Sequence, residues 1–244
     1  KAGADVIKIE PVDGEPSRIR AKVSGGASLP MAMLNTNKRG ITLNLKSQRG
    51  KELFKEMIRR ADILVENFAP GVMDRLGLGW EVLHAVNPRL IYGTGTGYGI
   101  SGPDRDNLAM DVTIQAASGI MSVTGMPDGP PMRAGASIVD FLSGAHLYAG
   151  IVTALFDRTR TGVGRLVEVS MLETAYPTLA SNMGFTYKSE GKPPPRVGNR
   201  HGGLALAPYS VYEANDGHIA FVCVTEPHWQ ALLAAMGRLD MKDD

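Results

Sequence analysis

The chain has 244 residues, of which 43% are hydrophobic and 21% are charged, and its formal net charge is +1. This composition is typical of a globular protein with enough apolar material for a large core. The near-neutral charge argues against a protein that binds nucleic acid through bulk electrostatics. The single cysteine, Cys223, excludes an internal disulfide framework and favours a reducing, cytoplasmic location; its apolar neighbours predict a buried structural thiol.

Neither a membrane span nor a signal peptide is predicted, because no apolar stretch reads as long and charge-free enough. The sequence begins without Met, runs at once into a strand pattern and stops just after a helical pattern. We interpret it as a fragment truncated at both ends, without its N-terminal strand.

Strand and helix patterns alternate along the first part of the chain. Strands are predicted at residues 6–9, 41–45, 63–65 and 90–92, the last followed by a glycine-rich turn. Helices are predicted at residues 51–60, with Ser47 as the N-cap, and at 81–86. Such alternation is typical of an α/β domain with a mostly parallel sheet, whose ligands bind beyond the carboxyl ends of the strands.

The second part begins with a long helix at residues 138–158, in which Gly144 and Gly150 are expected to permit close packing. A turn, a strand and a helix follow at residues 161–165, 166–170 and 172–187. A hairpin with Asp216-Gly217 as its turn and a helix capped by Thr225 are predicted at residues 209–213, 219–224 and 227–236. We therefore expect a large Rossmann-like α/β domain, a linker and the beginning of a smaller α+β domain, at residues 1–187, 188–206 and 207–244.

Asp140 is the first candidate catalytic residue, because it opens the long apolar helix and no second acid follows until Asp157. A carboxylate at a helix start faces unpaired N–H groups and the positive end of the helix dipole. That setting favours the ionised form, which a carboxylate nucleophile needs. An Asp in this place is also a common N-cap, so both interpretations stand.

A second candidate site is the segment ENFAPGVMDRLG at residues 66–77, which follows a predicted strand. Asn67, Phe68 and Arg75 suit a flat aromatic ligand that bears phosphates. The alternative is a strand-to-helix turn with a surface arginine.

Several common site types have no sequence support. The glycine-rich segment TGTGYGISGP, at residues 94–103, does not run into a helix as a dinucleotide-binding loop does, because Pro103 intervenes, and it is not a P-loop. The histidines have no zinc-binding spacing, so no metal is predicted. The G-x-S-x-G motif of serine hydrolases is absent.

Taken together, these segments resemble the family III CoA-transferases, the CaiB/BaiF group, over nearly the whole chain. The resemblance is carried by GADVIKIE at 3–10, NKR at 37–39, ADILVENFAPG at 61–71, GYGISGP at 97–103, QAASG at 115–119, TGVGR at 161–165 and APY at 207–209. It implies an interlocked homodimer and a CoA-transferase that takes acyl-CoA and small carboxylates as substrates, with no permanently bound cofactor.

The resemblance also implies residue roles. Asp140 matches the nucleophile that attacks an acyl-CoA thioester and passes through an acyl anhydride and an aspartyl-CoA thioester. Gly202 and Gly203 match a flap that supplies oxyanion donors. Residues that match the lining of the CoA channel are Arg18, Lys46, Asn67, Phe68, Arg75 and Leu76; for Arg18 and Lys46 a solvated surface charge is the alternative.

The α-methylacyl-CoA racemases share this fold and use a His and an Asp as paired bases. The segment that would carry the His, at residues 108–112, has Met110 in that place, which disfavours racemisation. A non-catalytic acyl-CoA-binding relative is the other alternative, against which Asp140 argues. Succinyl-CoA is the expected donor, and Arg133, Arg196 or Arg200 are candidate cations for a second substrate carboxylate.

Overall fold

The computed structural model describes residues 3–20 and 28–242. Its strands are Ile7–Glu10 (β1), Arg39–Thr42 (β2), Ile63–Glu66 (β3), Ile91–Thr96 (β4), Leu166–Ser170 (β5), Tyr209–Ala214 (β6) and Gly217–Val222 (β7). Its α-helices are Leu29–Asn35 (α1), Gln48–Ile58 (α2), Val72–Arg75 (α3), Trp80–Val86 (α4), Asp111–Ala117 (α5), Ile120–Val123 (α6), Ile138–Thr161 (α7), Met171–Ala175 (α8), Ala180–Lys188 (α9) and Glu226–Met236 (α10).

The strands form three sheets. β1 and β2 pair in parallel, with Ile7 opposite Arg39 and Glu10 opposite Thr42. β3, β4 and β5 form one sheet in that order, and β6 and β7 form an antiparallel hairpin. The predicted α/β class with mostly parallel sheets is confirmed.

The described residues form two compact units, each with its own core. The first unit contains the chain up to Val65, Gly71–Tyr92 and Ala154–Leu166. Its core is built from the buried residues Phe54, Ile58, Met73, Leu78, Leu83, Leu90 and Tyr92. The predicted Ser47 cap of α2 is confirmed, since its hydroxyl accepts from Gly50 N–H at 3.0 Å.

The second unit contains Glu66–Pro70, Gly93–Thr153 and the chain from Val167 onward. Its core is built from Ile114, Ile120, Val139, Ala175 and Leu179. Cys223 is buried, as predicted. The predicted domain boundaries at 187 and 207 stay a prediction.

The glycine-rich turn that was expected directly after residue 92 begins only after Thr96, because β4 continues to that residue. A Cβ atom on Gly93 would lie 2.8 Å from Ile151 Cδ1 on α7. Glycine therefore allows this helix to approach the strand closely, and the same residues that indicate a turn in the sequence serve strand–helix packing.

Other element predictions need correction. The helix expected over 172–187 is divided into α8, a 3-10 turn at Tyr176–Leu179 and α9, because Pro177 lacks the N–H that an α-helix requires. The hairpin turn consists of Asn215 and Asp216, and Gly217 is already the first residue of β7. Thr225 is the N-cap of α10 by position, but its side chain makes no capping hydrogen bond.

Helix α7 is, by length and composition alone, long and apolar enough to cross a membrane, contrary to the sequence-based expectation. This criterion is weak evidence, because core helices of soluble proteins also satisfy it. One side of the helix contributes the buried residues Val139, Leu147 and Ile151 to the protein interior.

A buried acid holds the end of β1. Glu10 is 3% exposed, and its two carboxylate oxygens accept from Arg18 Nε at 2.5 Å and Nη2 at 2.7 Å. Lys8 lies 3.8 Å from the same carboxylate. The hydrogen bonds from Arg18 are the main cause that lowers the pKa of Glu10 from 4.5 to about 2, and they outweigh the opposing effect of burial.

We predict that Glu10→Gln destabilises the protein by about 1–3 kcal/mol at pH 7, because the buried carboxylate loses its charged hydrogen bonds with the half-exposed guanidinium of Arg18. The folded-state pKa is depressed, so the contribution of Glu10 is complete above about pH 4.5 and is lost as the pH falls toward 2. Urea unfolding at pH 7 and pH 3 measures both effects. The difference between wild type and variant should shrink at pH 3, whereas the exposed control Asp128→Asn should show no difference at either pH; an equal gap at both pH values would contradict this account.

The two glycines of α7 should respond differently to replacement by alanine. A Cβ atom on Gly144 meets nothing within 4 Å, whereas one on Gly150 would lie 2.8 Å from Val167 Cγ1. Only Gly150 therefore serves close packing. Gly144→Ala should stabilise the protein by about 0.5–1 kcal/mol through helix propensity. In Gly150→Ala the same gain in helix propensity should be offset, because the displacement of Val167 costs about 1–3 kcal/mol. Thermal unfolding of the two variants checks the difference, and equal melting temperatures would refute it.

Candidate active site

Asp140 lies in the first turn of α7, two residues after the helix begins at Ile138. Its neighbour Val139 is fully buried, whereas Asp140 is exposed to solvent. Within residues 3–20 and 28–242, no hydrogen bond or ion pair engages the Asp140 carboxylate. The side chain is thus held on a fixed helix and is open to an incoming ligand.

The residue that caps α7 is Asp111, the first residue of α5. Its Oδ2 atom accepts from the backbone N–H of Val139 at 2.9 Å and of Asp140 at 3.3 Å. The cap interpretation of Asp140 is therefore wrong, because a carboxylate from another helix occupies that position. An acid at a helix N-terminus satisfies the unpaired N–H groups and interacts favourably with the helix dipole.

A buried glutamine extends this contact. Gln115 is fully buried, and its Nε2 donates to Asp111 Oδ1 at 2.5 Å. Its Oε1 accepts from Ala134 N–H at 2.8 Å. Asp111 and Gln115 together fasten both the first turn of α7 and the segment that leads into it.

The electrostatic setting of Asp140 differs from the sequence-based expectation. Its pKa is raised above the ordinary value, first by partial burial and second by the negative charge of Asp111. The helix start was expected to favour the ionised form. That prediction is wrong in direction, because the first-turn N–H groups donate to Asp111.

The other side of the first turn is tied to α8. Ser143 Oγ donates to the carbonyl of Val139 at 2.7 Å and lies 2.9 Å from Thr174 Oγ1. Thr174 is itself buried, and its hydroxyl can donate either to Ser143 Oγ or to Met171 O, each 2.9 Å away. Hydrogen bonds on two sides therefore fix the backbone that carries Asp140.

Gly202 and Gly203 lie against α9. A Cβ atom on Gly202 would be 2.8 Å from Asn182 Nδ2, and one on Gly203 would be 2.7 Å from the backbone oxygen of Ser181. Among the residues described, no hydrogen bond joins either glycine to Asp140, and neither N–H group donates a hydrogen bond. Glycine is needed at 203, where a Cβ atom would meet backbone, whereas at 202 it would meet only the movable Asn182 side chain; the N–H groups of both glycines are available.

Arg196 anchors the base of the same segment. Its guanidinium donates to the carbonyls of Ser122 at 3.3 Å, Met126 at 3.4 Å and Gly129 at 2.6 Å. Arg196 therefore serves to hold the 122–129 turn, which makes it a poor candidate for a substrate carboxylate. Arg200 is exposed, and the side-chain hydrogen bond that it makes within the described residues runs from Nε to Val197 O at 3.4 Å.

The candidate residues for CoA binding fall into both units. In the first unit, Arg18 is engaged by Glu10, while Lys46 is exposed without a side-chain hydrogen bond in the described structure. Arg75 is exposed and folds over Gly71, and Leu76 packs against the first core.

In the second unit, Asn67 and Phe68 are exposed, and Phe68 N–H donates to Glu66 Oε2 at 2.8 Å. The aromatic ring is therefore accessible at the end of β3, where sequence reasoning placed a ligand.

Met110 precedes α5 as its N-cap residue and is 66% exposed. Its thioether has no proton to exchange, so the position next to Asp111 provides no base.

Sequence reasoning missed Asp111 and Gln115 as parts of this site. Asp111 lay unremarked in the 108–112 segment, and Gln115 appeared only within QAASG as a segment of resemblance. The available signal was an acid at the start of a short helix followed four residues later by an amide, a spacing that places both side chains on one helix face. Nothing in the sequence indicates that this face meets the start of α7.

Comparison with known proteins defines the family. The chain belongs to CoA-transferase family III, whose family model matches residues 1–244. It is 41% identical to the acetyl-CoA:oxalate CoA-transferase of Acetobacter aceti, over 99% of this chain and 62% of that protein. It is 34% identical to the succinate–glutarate CoA-transferase of Agrobacterium fabrum, over 99% of this chain and 62% of that protein.

Among solved structures, a CaiB/BaiF family protein from Brucella suis matches with a TM-score of 0.83 and 34% identity, over 99% of this chain and 65% of that one. The resemblance stated from the sequence is thus confirmed. The chain spans 62% of the length of these two curated relatives.

We predict that Arg196→Ala releases the 122–129 turn, because three hydrogen bonds to backbone carbonyls are lost. Charged hydrogen bonds contribute about 1.5–3 kcal/mol each, so amide hydrogen exchange in this turn should accelerate at least about tenfold. Arg200→Ala is the matched control and should leave exchange there unchanged. Equal exchange in both variants would show that Arg196 does not hold the turn.

Proposed function

We propose that this protein transfers CoA from an acyl-CoA donor to a carboxylic acid, with Asp140 as the covalent nucleophile. The observation that carries the proposal is an accessible carboxylate, on a fixed helix turn, in a chain that belongs to CoA-transferase family III over its whole length. The names of the relatives support the exchange of CoA between carboxylic acids.

In the proposed reaction, the Asp140 carboxylate attacks the carbonyl carbon of the donor thioester and CoA leaves as a thiolate. The product is a mixed anhydride between Asp140 and the acyl group. The thiolate then attacks the Asp140 carbonyl, which releases the donor acid and leaves an aspartyl-CoA thioester. The acceptor carboxylate repeats these two steps in reverse, so that each covalent step is an acyl transfer between oxygen and sulfur.

Each step passes through an oxyanion that requires N–H donors. Gly202 and Gly203 are the proposed donors, and their N–H groups, which donate no hydrogen bond within the described chain, support this role. The proposal requires the segment to move toward Asp140 when substrate binds, as active-site flaps do in other enzymes.

The sequence-predicted residues of the proposed CoA site differ in how well their exposure supports that role. Lys46 and Arg75 are exposed cations suited to phosphates, and Phe68 offers a ring face to the adenine. Asn67 and Leu76 stay in the proposed channel. Arg18 is a weaker candidate for the channel, because the charge of its guanidinium is already neutralised by Glu10.

The acceptor is proposed to be a small acid of the dicarboxylic type, and succinyl-CoA or a similar thioester the donor; oxalate and glutarate in the names of relatives support this class. Arg133 and Arg200 are the remaining candidate cations for a second carboxylate. We further propose an interlocked homodimer in the cytoplasm, without a permanently bound cofactor.

The first test is CoA exchange between succinyl-CoA or acetyl-CoA and unlabelled acids, measured for purified protein. Asp140→Asn and Asp140→Ala should lose at least about a thousandfold in kcat, because the covalent route is removed. Asp128→Asn removes an exposed acid of the same unit and should retain full activity.

Three outcomes would reject the proposal. Exchange that persists in both Asp140 variants would exclude the nucleophile. Solvent deuterium entering the α-carbon of a branched acyl-CoA, without CoA exchange, would instead assign the racemase reaction. Binding of acyl-CoA with neither activity would assign a non-catalytic relative.

A further inference from the structure

We propose that Asp111 is a positioning residue for Asp140: the Asp111 carboxylate holds the first turn of α7 in place. This inference rests on the proposed nucleophilic role of Asp140. It concerns a residue that contacts the nucleophile's own backbone and that comes from a separate helix.

One carboxylate oxygen of Asp111 makes a double contact with the start of α7. Asp111 Oδ2 accepts from two successive N–H groups, those of Val139 and Asp140, while Oδ1 accepts from the buried Gln115. All the hydrogen bonds of this carboxylate therefore act on the nucleophile's turn or on the residue that supports it. A neutral side chain at position 111 retains one acceptor for the helix but loses the second charged oxygen.

The position of Asp111 also sets the electrostatic environment of Asp140. On the other elements that hold this turn, Arg133 donates to the carbonyls of Ala134 and Gly135, and α8 makes its contact through the Thr174 hydroxyl. Asp111 is the charged group that raises the pKa of Asp140, as the second cause after partial burial. Two carboxylates close together resist full ionisation.

This arrangement has a consequence for the reaction. Acylation converts the Asp140 carboxylate into a neutral anhydride, which removes its repulsion with Asp111. The repulsion therefore raises the free energy of the resting enzyme relative to the acylated one, and it favours the first covalent step. Asp111 never touches the acyl group in this account; it acts through Asp140.

The test is the pH dependence of kcat/KM for acetyl-CoA, a donor whose acyl group carries no titratable carboxylate. Asp111→Asn and Asp111→Ser are neutral variants that keep an oxygen to accept from the helix N–H groups. Both should move the acid limb of the profile to lower pH, because the pKa of Asp140 falls when the neighbouring charge is removed. Their kcat should drop at least about tenfold with KM for acetyl-CoA within about twofold, since donor binding is untouched.

Two controls complete the design. Asp111→Glu retains the charge, so its acid limb should lie at a higher pH than the acid limbs of the neutral variants, closer to that of the wild type. Asp128→Asn removes an exposed acid and should leave the profile unchanged. Thermal unfolding of each variant reports whether the fold is retained.

Each result decides the proposal. An acid limb that stays at the wild-type pH in folded neutral variants overturns it, and so does loss of folding in both, which would leave Asp111 a structural role alone. These failures are distinct from failure of the proposed function, which appears as exchange that survives Asp140→Asn. An inactive Asp140→Asn together with an unmoved limb would remove only the inference about Asp111.

Discussion

The contact between the Asp111 carboxylate and the first turn of α7 is the interaction on which the site depends. Without it, two N–H groups at the start of a long helix would lack a partner, and the backbone of Asp140 would lack one of its two anchors. The second anchor, the hydroxyl pair of Ser143 and Thr174, holds the same turn from α8. A nucleophile that must meet a thioester carbonyl within a fraction of an ångström needs such a rigid base.

The sequence predicted much of the scaffold because local signals there agree with the final packing. Ser47 caps α2, the apolar run after residue 137 forms a single long helix, and the hairpin falls at residues 209–222. These elements are decided by capping, periodicity and turn chemistry, which act over a few residues. The position of Asp140 made it a candidate, the family resemblance added its nucleophilic role, and the structure places it at an accessible helix start.

The errors arose where a distant residue decides the outcome. Gly93 indicates a turn by composition, yet α7 packs over it and the strand continues. Arg18 and Arg196 read as free cations, but a buried acid and three backbone carbonyls engage them. The pKa of Asp140 was assigned from its own helix, whereas Asp111 accepts the N–H groups that would have lowered it. No local pattern encodes these partners.

The central claim is that Asp140 becomes covalently linked during turnover. Its most direct measurement is peptide mass spectrometry of the protein after incubation with acyl-CoA and hydroxylamine, which converts an aspartyl thioester or anhydride into a hydroxamate. The account predicts a hydroxamate at Asp140, dependent on acyl-CoA and absent at other acids. An unmodified Asp140 in protein that continues to exchange CoA under the same conditions would contradict it.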